Sequence, residues 1–324
     1  MKRHHHLVPL LASVLIPACT GEQSSFSRAG AEAASTLDLF WLLSIGSAAI
    51  FIFVLGALAF ALAPSTDLRQ RLATRQSVVI NGIAFPMVVL CLLLVYGFAV
   101  LDSRAARSAP SPLRISVEGN QWWWRVTYQT PSGGTVESAN ELRLPIGKTI
   151  KLDLTSSDVI HSFWIPGYAG KVDMIPGRTN TLTLNVEEAG ELRGQCAEYC
   201  GGAHALMAFR IVSMDQDAFD TWLAAETEPA EAKAGQNEQV FLSAGCGACH
   251  TVRGTSATGT VGPDLTHVAM RRTIGAATLP ATRSGFLAWM RRHKQIKPGN
   301  LMPEYDLLTE KERTRIADYL ETLD

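Results

Sequence analysis

Two long apolar stretches constrain the fold of this chain more than any other feature of its sequence. Residues 37–63 carry a single charge, Asp38, and residues 78–101 carry none. Each stretch is longer than the roughly 20 apolar residues that a helix needs to cross the hydrocarbon core of a bilayer. We therefore predict a hairpin of two transmembrane helices over residues 37–103.

The charges around the hairpin predict its orientation. The loop between the two stretches carries Arg69, Arg71 and Arg75 but only one acidic residue. Because positively charged loops stay in the cytoplasm, the chain after residue 102 should lie outside, in the periplasm. The sequence thus predicts a two-pass protein of the bacterial inner membrane, and no nucleic-acid partner is expected.

The N-terminus resembles a secretion signal. Residues 1–18 combine a basic start, a short apolar stretch and a small residue before Cys19, which is the signal-peptide pattern. The letters IPAC at its end resemble a bacterial lipoprotein cleavage box, which would leave a lipidated Cys19 at the start of an N-terminal segment, residues 19–36. The alternative is a signal cut elsewhere, with no role for Cys19.

Two soluble domains are predicted after the hairpin. Between residues 110 and 225, runs such as LRISVEG and TIKLDLTS alternate apolar and polar residues between turns, which predicts an all-β sandwich or Greek-key barrel. Residues 226–237 are rich in Ala, Glu, Pro and Gly without apolar periodicity, so we predict a linker. We call residues 110–225 the β-domain and residues 238–324 the C-terminal domain.

The C-terminal domain carries helical signals. Thr309 and Glu312 form a capping box. The apolar residues that follow recur on one face of a helix: Ile316, Tyr319, Leu320 and Leu323. A small all-α domain is predicted.

The string CGACH is the attachment pattern of a c-type haem. Cys246 and Cys249 would form thioethers to the haem vinyl groups, and His250 would bind the iron. The alternative is a thioredoxin-like redox pair, which needs a βαβ context that this part of the sequence does not have.

The sixth ligand of the iron is predicted to be Met302. It lies in the irregular stretch KPGNLMP, where a loop can fold back over a haem. Met290 falls in a predicted helix and is expected in the core, while Met270, His267 and His293 are further candidates. Ligation by methionine and histidine raises the haem potential, which suits an electron carrier.

The string CAEYCGGAHALM, which begins at Cys196, suggests copper. Thiolates, an imidazole and a thioether are ligands that copper accepts, and His161 and His204 are the histidines of the β-domain. A mononuclear blue-copper site would need one cysteine, whereas Cys196 and Cys200 are both present. A Cys₂His₂ zinc site and a Cys196–Cys200 disulfide are the alternatives.

These motifs together resemble a known family. HSFWIP, KVDMIPGR and GQCAEYCGGAHALM, with GNQWWW upstream and a membrane hairpin before them, resemble subunit II of the haem–copper cytochrome c oxidases. The fused C-x-x-C-H domain resembles the bacterial caa-type version, and the likeness runs from about residue 35 to residue 324. It implies a transmembrane hairpin, a cupredoxin-like Greek-key domain and a class I cytochrome c domain.

The resemblance also implies a dinuclear copper centre, CuA. Its ligands would be the bridging thiolates of Cys196 and Cys200, the imidazoles of His161 and His204, the weak thioether of Met207 and the backbone carbonyl of Glu198. In the family the carboxylate that matches Glu198 also reaches a magnesium ion shared with subunit I. The first tryptophan of the QWWW string, Trp122, would be the electron entry point, whereas Trp124 is expected in the core.

The chain departs from the mitochondrial members of the family at one place. Those members carry a carboxylate near the cytoplasmic start of the second transmembrane helix, at the mouth of a proton channel. The corresponding string here, RQSVVINGIAFP, has no acidic residue. Proton entry at that point would need another group or another subunit.

The implied function is electron input to a proton-pumping terminal oxidase. Electrons from an external cytochrome or other donor would pass from haem c to CuA and then to subunit I, which reduces O₂ to water; subunit III is a further expected partner. This chain holds no oxygen-reducing site of its own. The alternatives are the equivalent subunit of a CuA-type nitric oxide reductase, or a free-standing membrane-anchored electron carrier or copper-delivery protein.

The two soluble domains have opposite formal charges. Residues 110–228 contain nine Lys and Arg against fifteen Asp and Glu, a charge of −6, while residues 230–324 contain twelve against ten, a charge of +2. Opposite charges attract and orient partners. We therefore expect the haem edge to face the acidic surface around Trp122.

Overall fold

The computed structural model describes residues 21–62, 70, 74–107, 113–130, 132–230 and 235–324. The predicted signal peptide, Cys19, Arg69 and Arg71 lie outside these residues. The described residues divide into two compact units, one within residues 34–110 and the other formed by those up to residue 33 together with those after residue 110. The β-domain and the C-terminal domain belong to the same unit.

The first compact unit consists of helices. Helix α1 covers Ala31–Leu62, and after it come α2, Arg75–Val79, a π-helical turn, Ile80–Ala84, and α3, Phe85–Arg107. Residues Ala31–Leu62 and Arg75–Asp102 are long and apolar enough to cross a membrane. Both helices begin before the predicted apolar stretches, because a helix can include polar residues outside the hydrocarbon region.

The β-domain is a sandwich of two five-stranded sheets. One sheet has the order β3-β2-β1-β5-β8 and the other the order β4-β10-β9-β6-β7. The strands are β1 Leu113–Asn120, β2 Trp123–Gln129, β3 Thr135–Ala139, β4 Glu141–Pro145, β5 Thr149–Ser156, β6 His161–Trp164, β7 Val172–Met174, β8 Asn180–Asn185, β9 Gly190–Cys196 and β10 Ala208–Met214. Helix α4, Gln216–Thr227, follows the last strand.

Alternating side chains build the core of the sandwich. In β1, Ile115 and Val117 are buried while Arg114 and Ser116 are exposed, as the period of two along a strand requires. Trp124 is 1% exposed, and its ring meets Phe163 and Phe209 edge-on at centroid distances of 5.7 and 5.2 Å. The prediction that Trp124 belongs to the core is confirmed.

The described part of the N-terminal segment packs on the β-domain, which the sequence did not predict. Gly30 forms an isolated β-bridge with Val186, and Ala29 is part of the hydrophobic core. Glu22 pairs with Arg210 on β10. Short segments without periodicity give no sequence signal for such pairing.

The C-terminal domain contains three helices among its described residues. They are α5 Gln236–Ser243, α6 Arg283–Ile296 and α7 Glu310–Glu321, with the short strands β11 Thr273–Ile274 and β12 Leu279–Pro280 before α6. The predicted capping box at Thr309 and Glu312 is present. The predicted apolar face of this last segment is buried as well: Ile316, Tyr319, Leu320 and Leu323.

The first residues of the predicted linker are structured. Helix α4 continues to Thr227, and the carbonyl of Glu228 lies 3.0 Å from Nε2 of His267. The amide of Ala230 donates to the carbonyl of Arg253 at 3.2 Å. The described start of this segment therefore lies against the C-terminal domain.

Candidate metal centre

Strand pairing brings a distant histidine to the cysteine loop. Strand β6 begins at His161 and pairs with β9, where Phe163 lies opposite Cys196. Nδ1 of His161 is 3.8 Å from Sγ of Cys196. The candidate ligand atoms of His161, Cys196 and Cys200 all lie within 4.8 Å of one another, and the three residues are buried.

The remaining predicted ligands lie around the same two sulfurs. Sγ of Cys200 is 3.4 Å from Nδ1 of His204 and 3.8 Å from Sδ of Met207. Sγ of Cys196 is 3.2 Å from the carbonyl oxygen of Glu198. A short 3-10 helix, His204–Leu206, turns the loop so that the imidazole of His204 and the thioether of Met207, the next residue, reach the sulfurs. The six predicted copper ligands therefore form one cluster.

The two cysteines are separate thiols in this structure. Their sulfurs are 3.8 Å apart, whereas a disulfide bond is about 2.05 Å long. The hydrogen bond between the two sulfurs, together with the contact to His161, lowers the pKa of Cys196. The same bond and burial raise the pKa of Cys200. Bound cations would stabilise both sulfurs as thiolates.

The donor set fits copper better than zinc. A Cys₂His₂ zinc site would be complete with four ligands and would give no role to Sδ of Met207 or to the carbonyl of Glu198. Soft sulfur donors beside imidazoles suit copper. Two cysteines at this spacing also offer two sulfurs for bridging a pair of ions.

Asp158 holds His161 in place and was not predicted from the sequence. Its Oδ1 lies 2.8 Å from Nε2 of His161. Because a carboxylate accepts, this bond places the ring proton on Nε2 and leaves Nδ1 free to bind a metal. Burial opposes protonation of His161, but the bonds to Cys196 and Asp158 outweigh it and raise its pKa. The spacing of three residues between the two was the available sequence signal.

The turn before β2 is fixed on the cysteine loop. The carbonyl of Cys200 accepts from Nε2 of Gln121 at 2.6 Å and from Nε1 of Trp122 at 3.0 Å. Oδ2 of Asp158 accepts from the backbone amide of Gln121 at 2.6 Å. The Trp122 ring is half-buried against this loop, and Gln121 is a further residue that the sequence alone did not single out.

The C-terminal domain contains an apolar cavity around the CGACH string. It is lined by Cys246, Cys249, His250 and Met302 together with Pro263, Phe286, Trp289, Met290, Ile316 and Leu320. Nδ1 of His250 lies 2.7 Å from the carbonyl oxygen of Pro263, so the ring proton is on Nδ1 and Nε2 is free. Burial lowers the pKa of His250 and keeps it neutral, as an iron ligand must be.

Two methionines line the cavity. Sδ of Met302 accepts from Nε1 of Trp289 at 3.2 Å, in the loop after α6, whereas Met290 lies within α6 and is 7% exposed. Met270 is 49% exposed on the surface. The two histidines considered as alternatives are held by other groups: His267 by the carbonyls of residues 228 and 324, and His293 by Asn300. The loop methionine therefore stays the predicted axial ligand.

Both soluble domains match known families. Residues 132–214 match the model of the cytochrome c oxidase subunit II periplasmic domain, and residues 233–324 match the cytochrome c model. The chain is 37% identical over 213 residues to cytochrome c oxidase subunit 2 of Alkalihalophilus pseudofirmus, an alignment that spans 64% of this chain and 60% of that protein. It is 28% identical to cytochrome c oxidase subunit 2 of Bacillus subtilis over its whole length and 99% of that protein.

A third relative is aligned over about three quarters of its own length. The chain is 30% identical to a probable cytochrome c oxidase subunit 2 of Rickettsia bellii, with 57% of this chain and 76% of that protein aligned. The chain belongs to the cytochrome c oxidase subunit II family. Membership implies a CuA centre in the β-domain of this subunit II chain, and the cytochrome c match implies haem c in its C-terminal domain. The residues around each site fit the corresponding group.

Magnesium stays a prediction for this subunit II chain. The carboxylate of Glu198 pairs with Nζ of Lys171 at 3.0 Å. Over the described residues, the cluster that could hold a metal ion consists of His161, Cys196 and Cys200 and does not include this carboxylate. Ligands from another subunit would be needed to complete a magnesium site.

We expect two copper ions per chain. The chain produced without its partner subunits should contain two copper atoms for each haem iron, measured by elemental analysis. Cys196→Ser or Cys200→Ser should abolish the mixed-valence spectrum, because each removes a bridge, whereas Met207→Leu should keep both ions and shift the potential. Cys91→Ser, in the second apolar helix, is the control and should change neither. One copper per chain, or zinc in its place, would contradict the dinuclear assignment.

Asp158→Asn should weaken copper binding. The amide can donate to Nε2 of His161 as readily as accept from it, so the ring loses its fixed orientation. Loss of such a supporting bond typically costs about 10–100-fold in metal affinity, which competition with a copper chelator would measure. Asp173→Asn, whose carboxylate pairs with Lys171 on the surface, is the control. Equal affinities in the two variants would show that Asp158 does not support the ligand.

Met302→Ala should leave the haem attached but change its iron. The thioethers to Cys246 and Cys249 survive denaturation, so haem stain should persist on a denaturing gel, while the low-spin absorption feature of methionine ligation should disappear. Cys249→Ala should weaken or remove the stain. If Met290→Ala rather than Met302→Ala removes the absorption feature, the axial assignment is wrong.

Proposed function

We propose that this chain is the electron-input subunit of a proton-pumping terminal cytochrome c oxidase. Haem c and the copper pair each take up and release one electron when bound. Electrons from an external cytochrome or other donor would enter at the C-terminal domain, reach CuA in the β-domain and continue to subunit I, where O₂ is reduced to water. Subunit III is the other expected partner.

One observation carries this proposal: Trp122 contacts both candidate sites. Its Nε1 donates to the carbonyl of Cys200 at 3.0 Å, and its side chain also lines the cavity that contains His250 and Met302. The covalent and hydrogen-bonded route from the ring to a copper ligand is therefore short. A route of this kind supports transfer between two centres within one chain.

The proposed location follows from the apolar helices. Two helices long enough to span a bilayer precede the β-domain, and the family match of that domain is to a periplasmic one. The arginine-rich loop between the helices would stay in the cytoplasm. Both redox domains would then face the periplasmic side, where an external donor can reach them.

The partner subunits and the gas that the complex consumes distinguish this proposal from the alternative functions. Relatives of the chain in Alkalihalophilus pseudofirmus and Bacillus subtilis are named as oxidase subunits, which favours oxygen over nitric oxide. Purification in mild detergent should yield a multi-helix partner with high-spin haem, and the complex should consume O₂. Turnover of NO without turnover of O₂ would assign the chain to a nitric oxide reductase. A chain that purifies without such a partner would be a free-standing carrier.

Replacing Trp122 should slow transfer between the two centres. Trp122→Gln removes the ring that lies between the cysteine loop and the cavity, so haem-to-copper transfer after flash reduction should slow by orders of magnitude. The absorption spectra of both centres should be unchanged. Trp123→Gln, at the neighbouring position and stacked under Arg125, is the matched control and should transfer at nearly the parental rate. If Trp122→Gln keeps the parental rate, Trp122 is ordinary packing.

A further inference from the structure

A buried lysine joins the C-terminal domain to the β-domain. Lys297 follows the last residue of α6 and is 3% exposed. Its Nζ donates to the carbonyl of Gly275 in its own domain at 3.2 Å. It also donates to two carbonyls of the β-domain, that of Leu206 at 3.0 Å and that of Trp122.

All three N–H donors of the Lys297 ammonium group have acceptors. An ammonium group has three N–H donors, and each of the three carbonyls takes one. Burial lowers the pKa of Lys297 to about 7, while three carbonyl acceptors favour its protonated form. Lysine is almost never fully buried unless it is paired, so this side chain depends on the two domains being in contact.

The two β-domain acceptors belong to the copper site. Leu206 directly precedes Met207 in the cysteine loop, and Trp122 donates its indole N–H to Cys200. Lys297 therefore binds the backbone of the same two segments that surround the copper ligands. None of the sequence motifs pointed to this contact.

The Trp122 ring is packed between a glycine from each side of this boundary. A Cβ atom at Gly201, in the cysteine loop, would lie 3.1 Å from Cζ2 of Trp122. A Cβ atom at Gly299, two residues after Lys297, would lie 3.0 Å from Cη2 of the same ring. Both glycines have positive φ, +112° and +81°. A side chain at either position would therefore crowd the ring and strain the backbone.

Of the other contacts between the domains, one involves the buried Glu141, whose Oε2 accepts from the backbone amide of Arg272 at 2.6 Å, and others lie at the rim. Nε of Arg272 pairs with Oε1 of Glu191 at 2.8 Å, and their side chains are 53% and 40% exposed. Nη2 of Arg143 donates to the carbonyl of Met270 at 2.7 Å. Exposed ion pairs are weak and are screened by salt. The predicted attraction between the oppositely charged domains should therefore fall as salt is added at this rim. Lys297, in contrast, lies away from solvent.

We propose that Lys297 is a positioning residue that fixes the C-terminal domain on the β-domain, with the Trp122 ring held between the two redox sites. The proposal rests on the proposed function, because the arrangement matters for transfer between those sites. Lys297 binds the carbonyls of Trp122 and Leu206 in the β-domain. An ammonium group can bridge these two carbonyls, whereas an apolar side chain cannot bind them.

The test compares three variants of the intact, metal-loaded complex. Lys297→Met keeps the length of the side chain and removes its donors. Lys294→Met removes a lysine of α6, three residues before Lys297, whose Nζ bonds the carbonyl of Asn300 within its own domain. Arg272→Gln removes the rim ion pair. Haem-to-copper transfer after flash reduction is measured from low to high salt, alongside haem reduction by a small reductant.

Lys297→Met should slow internal transfer by about tenfold or more, as expected for loss of a desolvated charged contact, and the slowing should persist at high salt. Arg272→Gln should slow transfer only at low salt, and Lys294→Met should match the parent. Haem reduction by the small reductant and the low-spin methionine absorption should be unchanged in all three. Parental internal transfer in Lys297→Met would overturn the proposal.

A second measurement uses the unaltered chain and so does not depend on the folding of a variant. An amine-acylating reagent, read out by mass spectrometry, should modify exposed Lys311 quickly and Lys297 at least about tenfold more slowly, because its Nζ is buried. Equal labelling would overturn the proposal while leaving internal transfer, measured separately, as evidence for the proposed function. Protection of Lys297 without transfer in the parent would support the docking and overturn the proposed function.

Discussion

The carbonyl group of Cys200 is the point on which the rest of the arrangement depends. It accepts from the side chains of Gln121 and Trp122, so the turn before β2 cannot move without the cysteine loop. A buried acceptor that loses its donors costs free energy, which keeps both bonds in place. Through Trp122 and then Lys297, the same bond connects the copper ligands to the C-terminal domain.

The copper and haem residues could be predicted because their chemistry is local in sequence. Cys196 and Cys200 lie in one loop with His204 and Met207, and the CGACH string is contiguous. His161 is 35 positions from Cys196; it became a candidate because it and His204 are the histidines of the β-domain, and the family resemblance then implied its role as a ligand. The alternation in β1 and the capping box of α7 likewise need only neighbouring residues, so these parts of the fold were also predicted.

The supporting contacts could not be predicted, because they join segments that are distant in the sequence. Asp158 meets His161 within one turn, but its second bond, to the amide of Gln121, exists only once β5 has paired with β1 in the same sheet. In the sequence, Lys297 looks like a surface lysine of a Gly/Pro-rich loop. Its burial depends on the contact between the two domains. The charge counts predicted attraction between the domains but located none of the contacts, and the ion pair of Arg272 and Glu191 at the exposed rim is seen only in the structure.

We propose that one chain carries an electron between two of its own sites, haem c and CuA. The most direct test is to reduce the haem of the isolated chain by a light flash and to follow haem and copper absorption together. The account predicts that haem oxidation and copper reduction proceed at one shared rate, and that this rate does not change when the chain is diluted. A rate proportional to chain concentration, or a haem that stays reduced until another protein is added, would contradict it.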